Sequence, residues 1–470
     1  MSTTTITSGE LPGIPGHTRS RSAAARKAAG QPRRLIRNLI WLYIILWLIE
    51  GGLRRWVLPG LASPLLMIRD PLVLAIYFVA VANNMFPTNG FVVWGALLAV
   101  LSFANALLLG HGNVWVALFG VRCDFLHVPL IFIMGRVLQR EDLIRLAKVA
   151  VALAIPYTAL LVAQFYEPQD AWVNRGVGGS LEGAGFTGAL DRFRPPGTFS
   201  FISGPSQLYP LLTACWFALL LLRRLPIWMM VASGGAILVA IPISISRMFF
   251  LSVAIVAVAG VGALFVGGRF SLKLVFQFAM AAVILALLAG QSTMFQDGMK
   301  AFNARWETAT TDAGGFKEAI VDRALNDLFG SFAGVQWSGL GTGFSTNVGQ
   351  KTLTSELGFG ASEAEWGRLL YDNGFLLGSL MVGYRIALAG TIAFAAFKAW
   401  RRRSPFGLLF AAASFQMLLN GPWGQTTTLG SAIIGGGLAL ATSAKRRKRR
   451  PQAVPKPDSS KATFAHVTAG

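Results

Sequence analysis

The sequence predicts an all-α polytopic membrane protein with about 12 transmembrane helices and a large external loop containing an amphipathic helix. Three observations carry that prediction. Of 470 residues, 54% are apolar and 13% charged, against roughly 25% charged in a soluble domain, so lipid must solvate much of the surface. Apolar runs of about 18 residues or more recur along the chain, each long enough to cross about 30 Å of hydrocarbon. The segments of about ten residues with alternating polarity that a barrel requires do not occur.

Residues 1–34 are rich in Ser, Thr and Arg and lack an apolar core. They read as a disordered basic cytoplasmic tail, not a cleavable signal. Residues 35–444 form the polytopic domain, and run length places its spans near 35–53, 65–82, 91–109, 118–138, 143–165, 207–222, 227–245, 248–266, 272–290, 369–396, 405–420 and 429–444. Residues 445–470 are a second disordered basic tail. The short loops test this count, because cytoplasmic connections carry the Lys/Arg. With the N-terminus inside, one side collects Arg136, Arg140, Arg145 and Lys148, then Arg223 and Arg224, Arg269 and Lys273, Lys398 with Arg401 to Arg403, and Lys445 to Arg450. Arg54 and Arg55 fall on the other side, against the trend. Both termini are therefore expected in the cytoplasm of a bacterial inner membrane, with long external loops at 166–206 and 291–368.

The formal net charge of +21 does not signal nucleic acid. Residues 1–37 and 445–470 contribute +6 and +7 of it, where it attracts anionic headgroups. Carboxylates are concentrated elsewhere: nine of the 21 acids, from Asp297 to Glu365, lie in loop 291–368. Within that loop Phe316, Ile320, Val321, Ala324, Leu325, Leu328, Phe329 and Phe332 recur at three-to-four spacing, which describes an amphipathic helix. Gly374 and Gly378 form a small-xxx-small pair suited to close helix packing.

Common enzyme signatures are missing. The chain has four histidines, His17, His111, His127 and His466, too few and too dispersed for a histidine metal site. No metal or cofactor is expected. Gly339, Gly341 and Gly343 lack the succeeding Gly-Lys-Ser/Thr of a phosphate loop. Cys123 and Cys215 lie in apolar stretches and read as small buried hydrophobes. Arginines at outer span edges are the feature that calls for partners. Arg69 with Asp70, and Arg122 with Asp124, read either as local ion pairs and interfacial anchors or as ligands for an anion. Arg247 comes after Ser244-Ile245-Ser246 with no acid nearby in sequence. Arg175, Arg192 and Arg194 lie in the first external loop, the last leading into Pro195-Pro196-Gly197, a stiff turn that would hold a guanidinium ready for phosphate oxygens.

A series of short motifs spans residues 40–443 in order. They are Arg54-Arg55-Trp56 through Pro64, Ile68-Arg69-Asp70-Pro71, Gly120-Val121-Arg122-Cys123-Asp124-Phe125-Leu126 with Pro129-Leu130-Ile131-Phe132, Arg194-Pro195-Pro196-Gly197-Thr198-Phe199, Ser246-Arg247, Gly339-Leu340-Gly341-Thr342-Gly343, and Glu363-Ala364-Glu365-Trp366 before Gly374. This order resembles the bacterial O-antigen polymerase and O-antigen ligase-like integral membrane family. The resemblance implies metal-independent glycosyl transfer from a polyprenyl-diphosphate-linked oligosaccharide to an acceptor hydroxyl at the outer face of the inner membrane, in exopolysaccharide or O-antigen synthesis. Its implied partners are the lipid-linked donor, the glycan acceptor, membrane lipids, and a flippase and chain-length regulator of the same pathway. It carries diphosphate and sugar binding onto Arg194 and Arg247 first, then Arg122, Arg69 and Arg323, the last ten residues or so before Gly334. The ligase branch uses a histidine in the long external loop as its base, and 291–368 contains none. That leaves a carboxylate, Glu363 or Glu365, as the expected base; both also suit a helix N-terminus. Two alternatives stay open: a glycan ligase, and a glycolipid transporter or flippase that makes no bond.

Overall fold

The computed structural model describes residues 16–183, 187–266, 290–312, 332, 335–354, 364–402 and 404–444. The predicted amphipathic helix, apart from Phe332, and the predicted span 272–290, apart from Gly290, lie outside them, as do residues 1–15 and 445–470 of the two tails; residues 16–34, expected as disordered tail, instead form the start of the first helix.

The described residues are almost wholly helical. Seven helices or helix runs are long and apolar enough to cross a membrane. They contain α1 (Gly16–Gly52), α2 (Arg69–Ala82), α3 (Gly90–Leu108), α4 (Val114–Val121) continuing through a π-helical turn into α5 (Val128–Val137), α6 (Arg140–Tyr166), α7 (Ser203–Leu222) and, later in the chain, Glu365–Arg401. Shorter apolar helices are α8 (Ile227–Ile243), α9 (Arg247–Val266) and, near the end, Phe406–Asn420. Helix α10 covers Thr293–Asp312; α11 is Glu365–Arg401, α12 Phe406–Asn420 and α13 Thr426–Ser443. Among the described residues the protein is an all-α membrane protein with one departure: a small antiparallel hairpin of β1 (Thr187–Ala189) and β2 (Arg192–Phe193) between α6 and α7.

Local sequence explains where the helices begin and stop. Asn89 accepts from Val92 N–H and caps α3, and Asn113 accepts from Trp115 and Val116 N–H and caps α4. Gln139 and Asp142 form a reciprocal capping box on α6, satisfying N–H groups that an uncapped helix leaves bare. Arg223 takes a left-handed conformation (φ 51°) and ends α7. Two π-helical turns, Leu53–Val57 and Arg122–Leu126, interrupt the regular pitch, and each carries arginine. Such turns expose side chains that a regular helix would direct elsewhere.

At the centre α13 packs against α5, α7, α11 and α12. Its run Gly435-Gly436-Gly437 permits this approach: a Cβ at Gly437 would sit 2.6 Å from Met134 Sδ, and one at Gly435 would collide with Ser414. The small-residue contact expected at Gly374 and Gly378 has a different form. Gly374 has φ 78° and breaks α11, and a Cβ there would strike the Trp337 carbonyl oxygen. Segment 335–346 docks into that break through Leu340 N–H to Tyr371 O, Gly341 N–H to Asp372 O and Phe375 N–H to Gln336 O. Gly339, Gly341 and Gly343 all have positive φ, so the glycine-rich stretch is a tight structural plug.

Candidate functional site

Two arginine-rich regions are built by this fold. The first is buried and runs across the bundle. Glu50 on α1 accepts from Arg69 Nε at 3.2 Å and lies 3.6 Å from Arg54. Arg69 also donates to Tyr43 Oη and to the Thr426 carbonyl. Tyr43 Oη meets His127 Nδ1 at 2.9 Å, and His127 Nε2 meets Asp70 at 3.0 Å. Asp70 in turn receives Arg122 in a two-pronged contact, 2.7 and 3.1 Å. Two residues on, Asp124 points to the other side of the same π-helical turn and accepts from Arg368 Nη2 at 2.6 Å. Arg368 grips Glu365 at 2.8 and 2.9 Å, and Arg385 reaches Glu365 at 2.7 Å. Asp372 lies 3.5 Å from Arg368 and accepts from Ser345 N–H and Oγ, which ties the glycine plug to the network.

Arg69, Asp70, Arg122 and Asp124 are all ion-paired, but not in the local pairs expected. Adjacent helical residues do not face one another. Arg69 therefore pairs with Glu50, Arg122 with Asp70, and Asp124 with Arg368. Both Arg69 and Arg122 are engaged by carboxylates. Glu365 has a fully buried side chain whose oxygens are taken by two guanidinium groups and the Trp423 N–H. Glu363 and Arg323 lie outside the described residues.

The second region is built on the segment between α6 and α7 and on α10. Its foundation is Arg55, which is 1% exposed and donates to four backbone carbonyls: Arg175, Val173, Gly197 and Phe199. Gln164 clamps Gly197 from both sides, accepting its N–H at 2.7 Å and donating to its carbonyl at 3.0 Å. Tyr157 Oη accepts from Thr198 N–H, and Thr198 Oγ1 donates to Leu48 O at 2.6 Å. The turn after Arg194 is thus fixed at every residue from 197 to 199. The expected stiff turn is present, and its rigidity comes from three buried side chains beneath it as well as from its prolines.

On this turn Arg194 shares its surroundings with two other arginines. Partial burial and the like charges of Arg305 and Arg247 hold its pKa down to about 10, because both disfavour the cationic form. Its Nε is buried without a hydrogen-bond partner. Arg305, on α10, donates to the Gly188 carbonyl of the hairpin at 3.2 Å, and Phe302 and Trp306 of the same helix pack around Phe250. Arg247 opens α9 directly after Ser246, whose Oγ lies 3.4 Å from Ser206 Oγ on α7. Of the other loop arginines, Arg192 stacks on Phe165 and Tyr166.

Beneath Ser206 a cavity of about 250 Å3 extends between α7, α9 and α12, from Gln207 and Met417 past Ile255 to Leu408. Its walls are mainly aliphatic. Ser206, one of its lining residues, meets Ser246 next to Arg247. The structure brings together Arg194 and Arg247 as expected and adds Arg305, whose polar and mixed helix gave no signal in sequence beyond its external position. It keeps Arg69 and Arg122 in the separate, buried network. The chain matches no family model, no curated protein and no solved structure.

Proposed function

We propose that this membrane protein is a polysaccharide polymerase that transfers a polyprenyl-diphosphate-linked oligosaccharide to an acceptor hydroxyl at the outer face of a bacterial inner membrane. The observation that carries the reading is the convergence of Arg194, Arg247 and Arg305, with an apolar cavity lined in part by Ser206, which meets Ser246 beside Arg247. A ligand with a compact polyanionic head and a long hydrocarbon tail matches both halves. The order of motifs that resembles the O-antigen polymerase and ligase-like family supports the same substrate class. In this reading the chain crosses the membrane twelve times with both termini cytoplasmic, the span at 272–290 included.

The chemistry is a displacement at the anomeric carbon. The acceptor oxygen forms the new C–O bond, the bond from that carbon to the diphosphate oxygen breaks, and its electron pair leaves with the diphosphate. Planar, permanently charged guanidinium groups neutralise that developing charge, and a carboxylate takes the acceptor proton. We assign the anchoring role to Glu365, whose lone pairs are committed to Arg368 and Arg385, and the base to Glu363. Arg69 and Arg122 support the scaffold, while Arg323 is assigned to the sugar-binding side of the external loop.

The test is reconstitution of the purified protein with lipid-linked repeats. Chains should lengthen, growth should persist with a chelator, and Arg247→Ala should abolish it while the protein remains folded. Normal growth in that variant would sink the arginine mechanism. Binding without any new glycosidic bond would favour the transporter reading. Deleting the gene separates the two transferases: a polymerase leaves single repeats on the carrier lipid, and a ligase leaves long lipid-linked polymer.

A further inference from the structure

A second amphipathic site lies at the opposite end of the bundle, where α3 begins and α5, α11 and α13 finish. A small pocket of about 270 Å3 there is lined by Asn89, Arg136 and Ser443 among others. It shares Asn89 and Phe132 with a larger cleft of about 780 Å3 that runs between α3, α5 and α11. That cleft has almost entirely apolar walls, including Phe91, Trp94 and Leu380. The polar end and the apolar cleft are therefore one continuous groove.

Arg136 is the charged residue among those that line the polar end. Arg136 is exposed and uses one Nη to donate to Phe86 O at 3.3 Å. The N-terminus of α3 contributes the positive end of its dipole. Immediately after Ser443 and Ala444 the sequence continues as Lys445-Arg446-Arg447-Lys448-Arg449-Arg450. A basic opening above an apolar slot between membrane helices suits an anionic phospholipid, whose headgroup meets the guanidinium while its acyl chains fill the slot.

We infer that this groove binds one anionic phospholipid molecule, with its phosphate at Arg136 and its chains between α3 and α11. The lipid covers the part of α3 that lines the cleft, including Trp94, which is otherwise exposed. This site is separate from the arginine cluster at the external loops and does not depend on the transferase reading.

The test is native mass spectrometry of the full-length protein with phosphatidylglycerol, cardiolipin or phosphatidylcholine added, together with its thermal midpoint in each lipid. Wild type should retain the two anionic lipids over phosphatidylcholine and be stabilised by them. Arg136→Glu should lower that retention by about fivefold or more, the scale of one basic residue at an anionic surface. Gly383→Leu should lower it independently: a Cβ at Gly383 meets nothing within 4 Å, so the longer side chain occupies the cleft without a backbone clash. Equal retention of all three lipids by wild type overturns the inference. So does a loss confined to Arg136→Glu, which would put the lipid on the basic surface and not in the cleft. Equal stabilisation by inorganic phosphate alone would also overturn it.

Discussion

Two sets of arginines divide this molecule, and they differ in the charges gathered around them. In the bundle Arg54, Arg69, Arg122, Arg368 and Arg385 meet Glu50, Asp70, Asp124, Glu365 and Asp372, five cations against five anions. At the external loops Arg194 feels two further arginines, Arg305 and Arg247. A guanidinium is costly to bury without a counter-charge. The balanced set is therefore explained by the fold that contains it, whereas at Arg194 the guanidinium groups of Arg305 and Arg247 add positive charge to positive charge, an arrangement that attracts an anion.

The comparison can be broken most forcefully in the buried set. Glu365→Ala leaves Arg368 and Arg385 facing each other's charge without their shared carboxylate, and a loss of about 3–5 kcal/mol of stability is expected. Thermal unfolding monitored by size-exclusion chromatography checks it; a midpoint equal to that of wild type would mean the network is not structural. In the external set the expected readout is reversed. Arg247→Ala should cost about 10²–10³-fold in chain growth, the scale of removing one charge-stabilising donor, with the thermal midpoint unchanged. A fall in stability without a specific loss of activity would place Arg247 with the buried arginines.

Arg55→Lys probes the link between the two sets. A lysine keeps the charge but cannot hold four carbonyls with one planar fork, so a destabilisation of about 1–3 kcal/mol is expected from the carbonyls left bare. Because those carbonyls belong to the turn that carries Arg194, substrate affinity should weaken as well. An unchanged affinity would show that the turn is rigid without Arg55. The smallest effect serves as a control. Lys300 and Asp297 form an exposed pair at 3.9 Å on α10, and Lys300→Ala should shift stability by no more than about 0.5 kcal/mol and leave chain growth intact.

Much of this arrangement was readable from the amino acids, for reasons that also explain the omissions. Apolar run length foretold the membrane helices because lipid imposes a minimum length on any crossing. Arg194 stood out because it leads into Pro195-Pro196-Gly197, and Arg247 because it flanks an apolar segment with no acid nearby in sequence. The pairings in the buried network were out of reach, since Arg122 meets Asp70 from 52 residues away and Arg368 meets Asp124 from 244 away. One signal was available and passed over: Glu50, Asp372 and Arg385 each interrupt an apolar run, and an ionisable group inside such a run implies a partner. Phe344 and Ser345, standing directly after Gly343, excluded a phosphate loop, but the actual work of Gly339, Gly341 and Gly343 depends on backbone angles that a sequence does not display. Arg305 was hidden by its setting on an external helix with many other polar residues.

The break at Gly374 also sets a length. An unbroken helix of 37 residues would extend about 55 Å, well beyond the 40–45 Å of a bilayer with its headgroups. Counting from Phe375 to Arg401 leaves 27 residues, or about 40 Å, with Lys398 and Arg401 in the last turn as anchors at one surface. The nine residues from Glu365 to Asn373 then project past the hydrocarbon slab. Hydrophobic thickness thereby divides α11 into a membrane-matched shaft and a collar at its N-terminal end, and the collar is the part that carries Glu365, Arg368 and Asp372.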